Sequence, residues 1–140
     1  MDMNTIFRPK VWYIIAGAMA LFGGIENNIN ASTWAESAWG AEGVNDQSLA
    51  LEALFGTFMI GFGAMSLTSA FALEGRAQAK FALINGIVMM VFFLFMFVML
   101  TNSGYNMPGI AFLIPPFIFL GGLSYSGFLH MNAEATPQEA

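Results

Sequence analysis

Four long apolar runs dominate this chain, and each is close to the length that crosses a lipid bilayer as a helix. A hydrocarbon core of about 30 Å takes about 20 helical residues. The predicted spans are residues 11–30, 49–73, 80–101 and 109–130. Only 9% of the residues are charged, against about 25% in a soluble domain, so the charges cannot cover a water-facing surface. The sequence therefore predicts a single all-α integral membrane domain over residues 1–140, built as a four-helix bundle.

The four cationic residues orient the predicted spans. They form two pairs, Arg8 with Lys10 and Arg76 with Lys80, each beside an apolar run. Because Lys and Arg collect at the cytoplasmic ends of spans, we expect both pairs and both termini in the cytoplasm of a bacterial or archaeal cell, with the protein in its inner membrane. The short acidic tail, residues 131–140, is expected to be flexible.

Composition excludes several classes of function. The chain has no cysteine and one histidine, His130, which removes disulfides, thiolate catalysis and most metal sites. A net charge of −5 without a basic patch argues against nucleic-acid binding. We therefore predict that the protein is not an enzyme and that it has no metal site.

The connection between the first two spans, residues 31–47, is the longest in the chain. Thr33 and Glu36 have the spacing of a capping box, which predicts a short helix lying in the membrane interface. Aromatic residues near span ends are typical interfacial anchors. The predicted anchors are Trp12, Trp34, Trp39 and Tyr105.

Small residues predict which spans pack together. In lipid, small side chains let helix backbones approach closely. The predicted packing positions are Ala16, Ala20 and Gly24 on the first span, and Gly56, Gly63 and Ala70 on the second. A tight inner turn at residues 74–79 makes the second and third spans antiparallel neighbours. Residues 91–100 are bulky all round and are expected to face lipid, while Pro115 and Pro116 predict a kink inside the fourth span.

Two carboxylates near the outer ends of the spans are the main functional candidates. Glu26 lies near the end of the first span, and three arrangements are open for it. Its side chain reaches water, joins a hydrogen-bonded network with neighbouring asparagines, or pairs with a cation from outside the chain. Glu52, expected in the first turn of the second span, is stabilised there by the helix dipole. The two carboxylates could also approach each other and share a proton. No cation lies near them in sequence, so this acidic face is expected to lack an in-chain partner. Candidates for partner contact or a proton site are Glu26, Glu52, Asn28 and Asn85.

The segment 52–56, the glycine-punctuated span that contains it, the short basic turn and the pair Asn85-Gly86 resemble small bacterial four-helix membrane proteins, the DoxX-like proteins and related uncharacterised families. The resemblance covers the second and third spans and implies the same four-helix membrane fold. Those families carry further polar or basic residues in their spans, which this sequence lacks. Small multidrug exporters are also of this size, but their membrane carboxylate lies well inside the first span, whereas Glu26 lies near its end.

Three hypotheses of function follow from the residues. The first is a non-catalytic accessory subunit of a larger membrane complex, which packs through its small-residue faces and meets a basic partner surface with its acidic outer face. The second is a small proton-linked transporter that uses Glu26 and Glu52 as a homo-oligomer. The third is a membrane protein that holds a quinone or pigment among Phe and Met side chains. No cofactor is predicted from a motif, and bound lipid is expected.

Overall fold

The computed structural model describes residues 6–107 and 109–132, and all regular structure within these ranges is helical. The helices are α1 (Pro9–Ile29), α2 (Ala31–Trp39), α3 (Asp46–Ala72), α4 (Gly75–Asn102) and α5 (Ile114–His130), with 3₁₀ turns at Ala41–Gly43 and Ile110–Leu113. The all-α prediction is confirmed. The predicted flexible tail lies, apart from residues 131 and 132, outside the described residues.

Three helical segments are long and apolar enough to cross a membrane: Asp46–Ala72, Gly75–Asn102 and Ile110–His130. They confirm the prediction of a membrane protein. The 21-residue α1 is not one of the three. Its last turns carry Glu26, Asn27 and Asn28, which lower its mean hydropathy.

Glycines bring α1 and α3 into backbone contact. A Cβ atom at Gly24 would lie 2.5 Å from the Gly56 carbonyl oxygen, and one at Gly63 would lie 2.8 Å from the Gly17 carbonyl oxygen. The two helices form the most extensive pair in the molecule, followed by α4 with α5. Gly17 was not among the predicted packing positions, and Ala20, which was, is only half-buried.

The core forms where α1 crosses the other helices. Tyr13 is fully buried in a cluster with Ala70, Ala82 and Leu123. Trp12 packs beside this cluster, and its ring occupies the place that a side chain at Gly122 would fill. Trp12 thus packs α1 against α5.

The link between α3 and α4 is shorter than the predicted turn at residues 74–79, because α4 begins at Gly75. Arg76 and Lys80 therefore lie in the first turns of α4. The side-chain amide of Gln78 donates to the last carbonyl oxygens of α3 and so caps that helix. Its acceptors are Ser69 at 3.1 Å, Ala70 at 3.1 Å and Leu73 at 2.7 Å.

Two predictions about helix ends were wrong. Pro115 and Pro116 do not kink a helix, because they lie in the first turn of α5, where backbone N–H groups have no intrahelical acceptor anyway. Thr33 lies inside α2, which begins at Ala31, so Thr33 and Glu36 form no capping box.

The capping box is found at the start of α3. The Asn45 side chain accepts from the backbone N–H groups of Gln47 at 2.9 Å and Ser48 at 3.1 Å, and the Ser48 hydroxyl accepts from the Asn45 N–H at 2.9 Å. These bonds start α3 at Asp46, three residues before the predicted span. Glu52 is consequently the seventh residue of the helix.

Replacing Gly24 with alanine should lower the free energy of unfolding by about 1–3 kcal/mol, the usual cost of overpacking. The new Cβ would meet two backbone atoms, the Gly56 carbonyl oxygen at 2.5 Å and the Ile60 nitrogen at 2.8 Å. Gly61→Ala is the matched control, because nothing lies within 4 Å of a Cβ there and alanine favours a helix by about 0.5–1 kcal/mol. Denaturant titration of the purified variants in micelles measures both. Equal effects of the two substitutions would contradict the close contact.

Candidate functional site

A cavity of about 390 Å³ lies at the end of the molecule where α1 ends and α3 begins, which we call the α2 end. It opens because α3 packs mainly on α1 and α4 mainly on α5, so the consecutive helices α3 and α4 do not close on each other. Its apolar walls include Met19, Phe55, Phe58, Met59, Phe62, Phe93, Phe112, Phe119 and Leu120. Its few polar lining groups include Glu26, Asn27, Glu52 and Tyr105. The cavity therefore combines an apolar body with a polar end.

Glu52 is the buried acid of this polar end, with only 3% of its surface exposed. One carboxylate oxygen, Oε1, accepts from the Tyr105 hydroxyl at 2.8 Å, and the other, Oε2, accepts from the Asn27 side-chain amide at 3.3 Å. Burial, together with the adjacent Glu52 carboxylate, raises the pKa of the Tyr105 phenol. Tyr105 is thus protonated at neutral pH and remains a hydrogen-bond donor.

The connection between α4 and α5 holds Tyr105 in place by binding α2. The backbone N–H of Asn106 donates to the Ala38 carbonyl oxygen at 2.8 Å. The side-chain amide of Asn106 donates to the Ser37 carbonyl oxygen at 3.3 Å. The rings of Trp39 and Tyr105 meet edge to face with centroids 5.3 Å apart. Trp39 and Tyr105 were expected as membrane anchors; in the structure their rings join these two segments beside the cavity.

Glu26 accepts hydrogen bonds within the chain, which is one of the three arrangements expected for it from the sequence. The Asn30 side-chain amide donates to Oε1 at 2.9 Å, and the Trp34 indole N–H donates to Oε2 at 3.1 Å. Both donors are neutral. Glu26 and Glu52 line the same cavity, and each has its own pair of neutral donors.

Asn27 carries an unused acceptor at this site. The residue is 6% exposed and lines the cavity, and its Oδ1 atom is buried without a hydrogen-bond partner. An ionised Glu52 requires the amide nitrogen on its side, because only that nitrogen can donate to a carboxylate. The oxygen is thereby left to accept a hydrogen bond.

The prediction that the helix dipole stabilises Glu52 was wrong. Glu52 lies in the second turn of α3, and the dipole effect fades within the first turn. Cationic side chains do not stabilise the Glu52 carboxylate either. Arg8 and Lys10 lie at the start of α1, and Arg76 and Lys80 lie at the start of α4, at the opposite end of these helices from the cavity. The side chains that bond to Glu52 are therefore neutral donors.

The two other sequence candidates lie outside the cavity. The side-chain amide of Asn28 donates to the Gly24 carbonyl oxygen at 2.9 Å and fills the space beside Gly56, so it belongs to the α1–α3 contact. Asn85 is buried in α4, and its Nδ2 atom has no partner within the described residues. The next residue, Gly86, packs against the Ser124 hydroxyl of α5.

Two site residues were missed as such by the sequence analysis. Asn27 was treated only as a neighbour of Glu26, although it bonds to Glu52, 25 positions away. Tyr105 lies 53 positions from Glu52, and no local pattern in the sequence indicates that pairing. The bond from Asn30 to Glu26 spans four residues of the chain and is the one contact that helical spacing could reveal.

Comparisons with protein-family models, curated proteins and solved structures find no match to this chain. The resemblance to DoxX-like proteins rests on the pattern of the second and third spans alone. Over residues 6–107 and 109–132, no group of three or more His, Cys, Asp or Glu side chains could hold a metal ion.

Tyr105→Phe should lower the free energy of unfolding by about 1–3 kcal/mol, because it leaves an oxygen of the buried Glu52 carboxylate without its donor. Tyr125→Phe is the control. Tyr125 is 41% exposed, and its ring packs edge-on against Phe7, a contact that phenylalanine keeps. Unfolding of both variants in micelles tests this, and a Tyr105→Phe variant as stable as Tyr125→Phe would show that the hydrogen bond has no structural role.

Proposed function

We propose that this chain is a membrane protein that binds a small apolar or amphipathic molecule in the cavity at the α2 end. The cavity itself carries the proposal. Its volume of about 390 Å³ lies within the range of ligand sites, which are typically lined by apolar and aromatic side chains with a few placed polar groups. Phe and Met side chains supply the apolar walls here, and Glu52, Asn27 and Tyr105 supply the polar groups.

The binding site lies within the membrane if α1 is a fourth span. At 1.5 Å per residue, the 21 residues of α1 reach about 31 Å, enough for the hydrocarbon core. The helix also packs along α3, one of the three apolar segments. We therefore propose a four-helix bundle with α2 in the interface and both termini in the cytoplasm, where the cationic pairs lie.

Single-cysteine variants test this topology cleanly, because the chain has no cysteine of its own. Ile6, before α1, and Ser32, in α2, are both exposed. A membrane-impermeant maleimide should label Ser32→Cys in intact cells and Ile6→Cys only after permeabilisation. Ala77→Cys, at the start of α4, is the cytoplasmic reference. Labelling of both Ile6→Cys and Ser32→Cys from outside would show that α1 does not cross.

Native mass measurement of the gently extracted protein tests ligand binding. We expect the chain to carry a bound molecule of low mass. Ala20→Phe should abolish this adduct, because Ala20 lines the cavity and a phenylalanine ring would fill it. Ala18→Phe, an exposed position on the same helix, should keep it. Loss of the adduct in both variants, or its absence from the unaltered protein, would count against a cavity ligand.

A second candidate function is that of an accessory subunit in a larger membrane complex. Exposed carboxylates around α2 favour it, namely Glu36, Glu42 and Asp46. Such a surface would pair with a basic face of another protein. The same native mass measurement discriminates, since a co-extracted polypeptide supports the subunit and a low-mass adduct on the single chain supports the binding protein.

A further inference from the structure

We propose that the molecule bound in the cavity is an amphipathic amine, with its protonated nitrogen between the Glu52 carboxylate and the Asn27 Oδ1 atom. This inference rests on the proposed binding function and names the chemical class of the ligand. It follows from which hydrogen-bonding groups are free at the polar end, from the sign of the charge there and from the composition of the walls.

The free hydrogen-bonding capacity of the polar end is that of an acceptor. The amide nitrogen of Asn27 and the Tyr105 hydroxyl are already used in bonds to Glu52. What remains is Asn27 Oδ1, buried and without a partner, together with the further lone pairs of the carboxylate oxygens. A ligand group that satisfies these atoms must donate N–H or O–H bonds.

The charge at this end selects a cation among such donors. A buried carboxylate needs an opposite charge or a proton, because neutral donors alone offset only part of its desolvation. Glu26 lines the same cavity and adds a second carboxylate, while Arg8, Lys10, Arg76 and Lys80 lie at the far ends of α1 and α4. An ammonium group supplies both the charge and the N–H donors.

The walls suit the remainder of such a molecule. Phe55, Phe58 and Phe62 line the cavity along α3, and Phe93 and Phe119 approach from α4 and α5. They offer an apolar surface for a hydrocarbon or aromatic body, and aromatic faces also attract cations within about 6 Å. The site thus fits a molecule with one apolar and one cationic end.

Two sources could supply this ammonium group, a free amphipathic amine or the headgroup of an aminophospholipid. Bilayer discs of phosphatidylcholine, which has no N–H donor in its headgroup, leave the site open to an added amine. Discs that also contain phosphatidylethanolamine present the headgroup ammonium as a competitor. A weaker apparent affinity for the added amine in the second discs assigns the site to the lipid, and an unchanged affinity assigns it to the free amine.

Three naphthalene probes of matched body test the inference by fluorescence titration in phosphatidylcholine discs: 1-naphthylmethylamine, 1-naphthylmethanol and 1-naphthylacetate. We expect the amine to bind at least tenfold more tightly than the alcohol, a difference of about 1.4 kcal/mol. The anion should bind most weakly, because the carboxylates repel it. Glu52→Gln should weaken binding of the amine more than binding of the alcohol, and so remove the preference for the amine. Glu36→Gln, an exposed carboxylate outside the cavity, should change neither.

The outcomes separate this inference from the proposed function. Equal binding of all three probes by the unaltered protein, reduced by Ala20→Phe, would overturn the amine assignment and keep the cavity as a binding site. Binding of none of them, together with no low-mass adduct in the native spectrum, would overturn both. The comparison of probes needs no variant at Glu52, so it stands even if Glu52→Gln fails to fold.

Discussion

The close approach of α1 and α3 through glycine determines the geometry of the rest of the molecule. With backbone atoms in contact at Gly24 and Gly56, the last turn of α1 lies beside the second turn of α3, and a short asparagine side chain can reach a carboxylate on the neighbouring helix. Hydrophobic drive between helices is small in lipid, so packing and hydrogen bonds have to hold such a pair together. The contact between Asn27 and Glu52 is thus a product of the same glycines that join the helices.

The cavity is a consequence of how the four long helices pair. The main partner of α1 is α3, and the main partner of α4 is α5. The two pairs meet closely around Tyr13, where the small residues Ala70 and Ala82 leave room for its ring. Towards the α2 end, bulky side chains bridge the two pairs. There the rings of Phe58 and Phe92, 5.0 Å apart, span from α3 to α4. Small residues close one end of the molecule, and large residues hold the other end open.

The sequence was sufficient for features that depend on composition and local spacing. Apolar runs and scarce charges predicted an all-α membrane protein. The spacing of small residues predicted packing positions on the first two spans, and five of them are buried: Ala16, Gly24, Gly56, Gly63 and Ala70. Helix ends were harder to predict. Asn45 and Ser48 cap α3 through a capping box with serine where glutamate is usual. Prolines at the start of a helix also look the same in sequence as prolines inside a helix. The pairing of Tyr105 with Glu52 depends on how the connection after α4 folds over α2. Such a long-range contact leaves no periodic trace.

The two carboxylates, which seemed alike in the sequence, have different environments. Glu26 lies at the end of α1, where its hydrogen bonds with Asn30 and Trp34 are exposed and water can screen its charge. Glu52 is buried, and the side chains that solvate it come from α1 and from the connection after α4. Electrostatic interactions strengthen away from water, so a charge entering the cavity would interact most strongly with Glu52. Any selectivity of the site for charge would therefore depend on Glu52, with Glu26 contributing at the more exposed position.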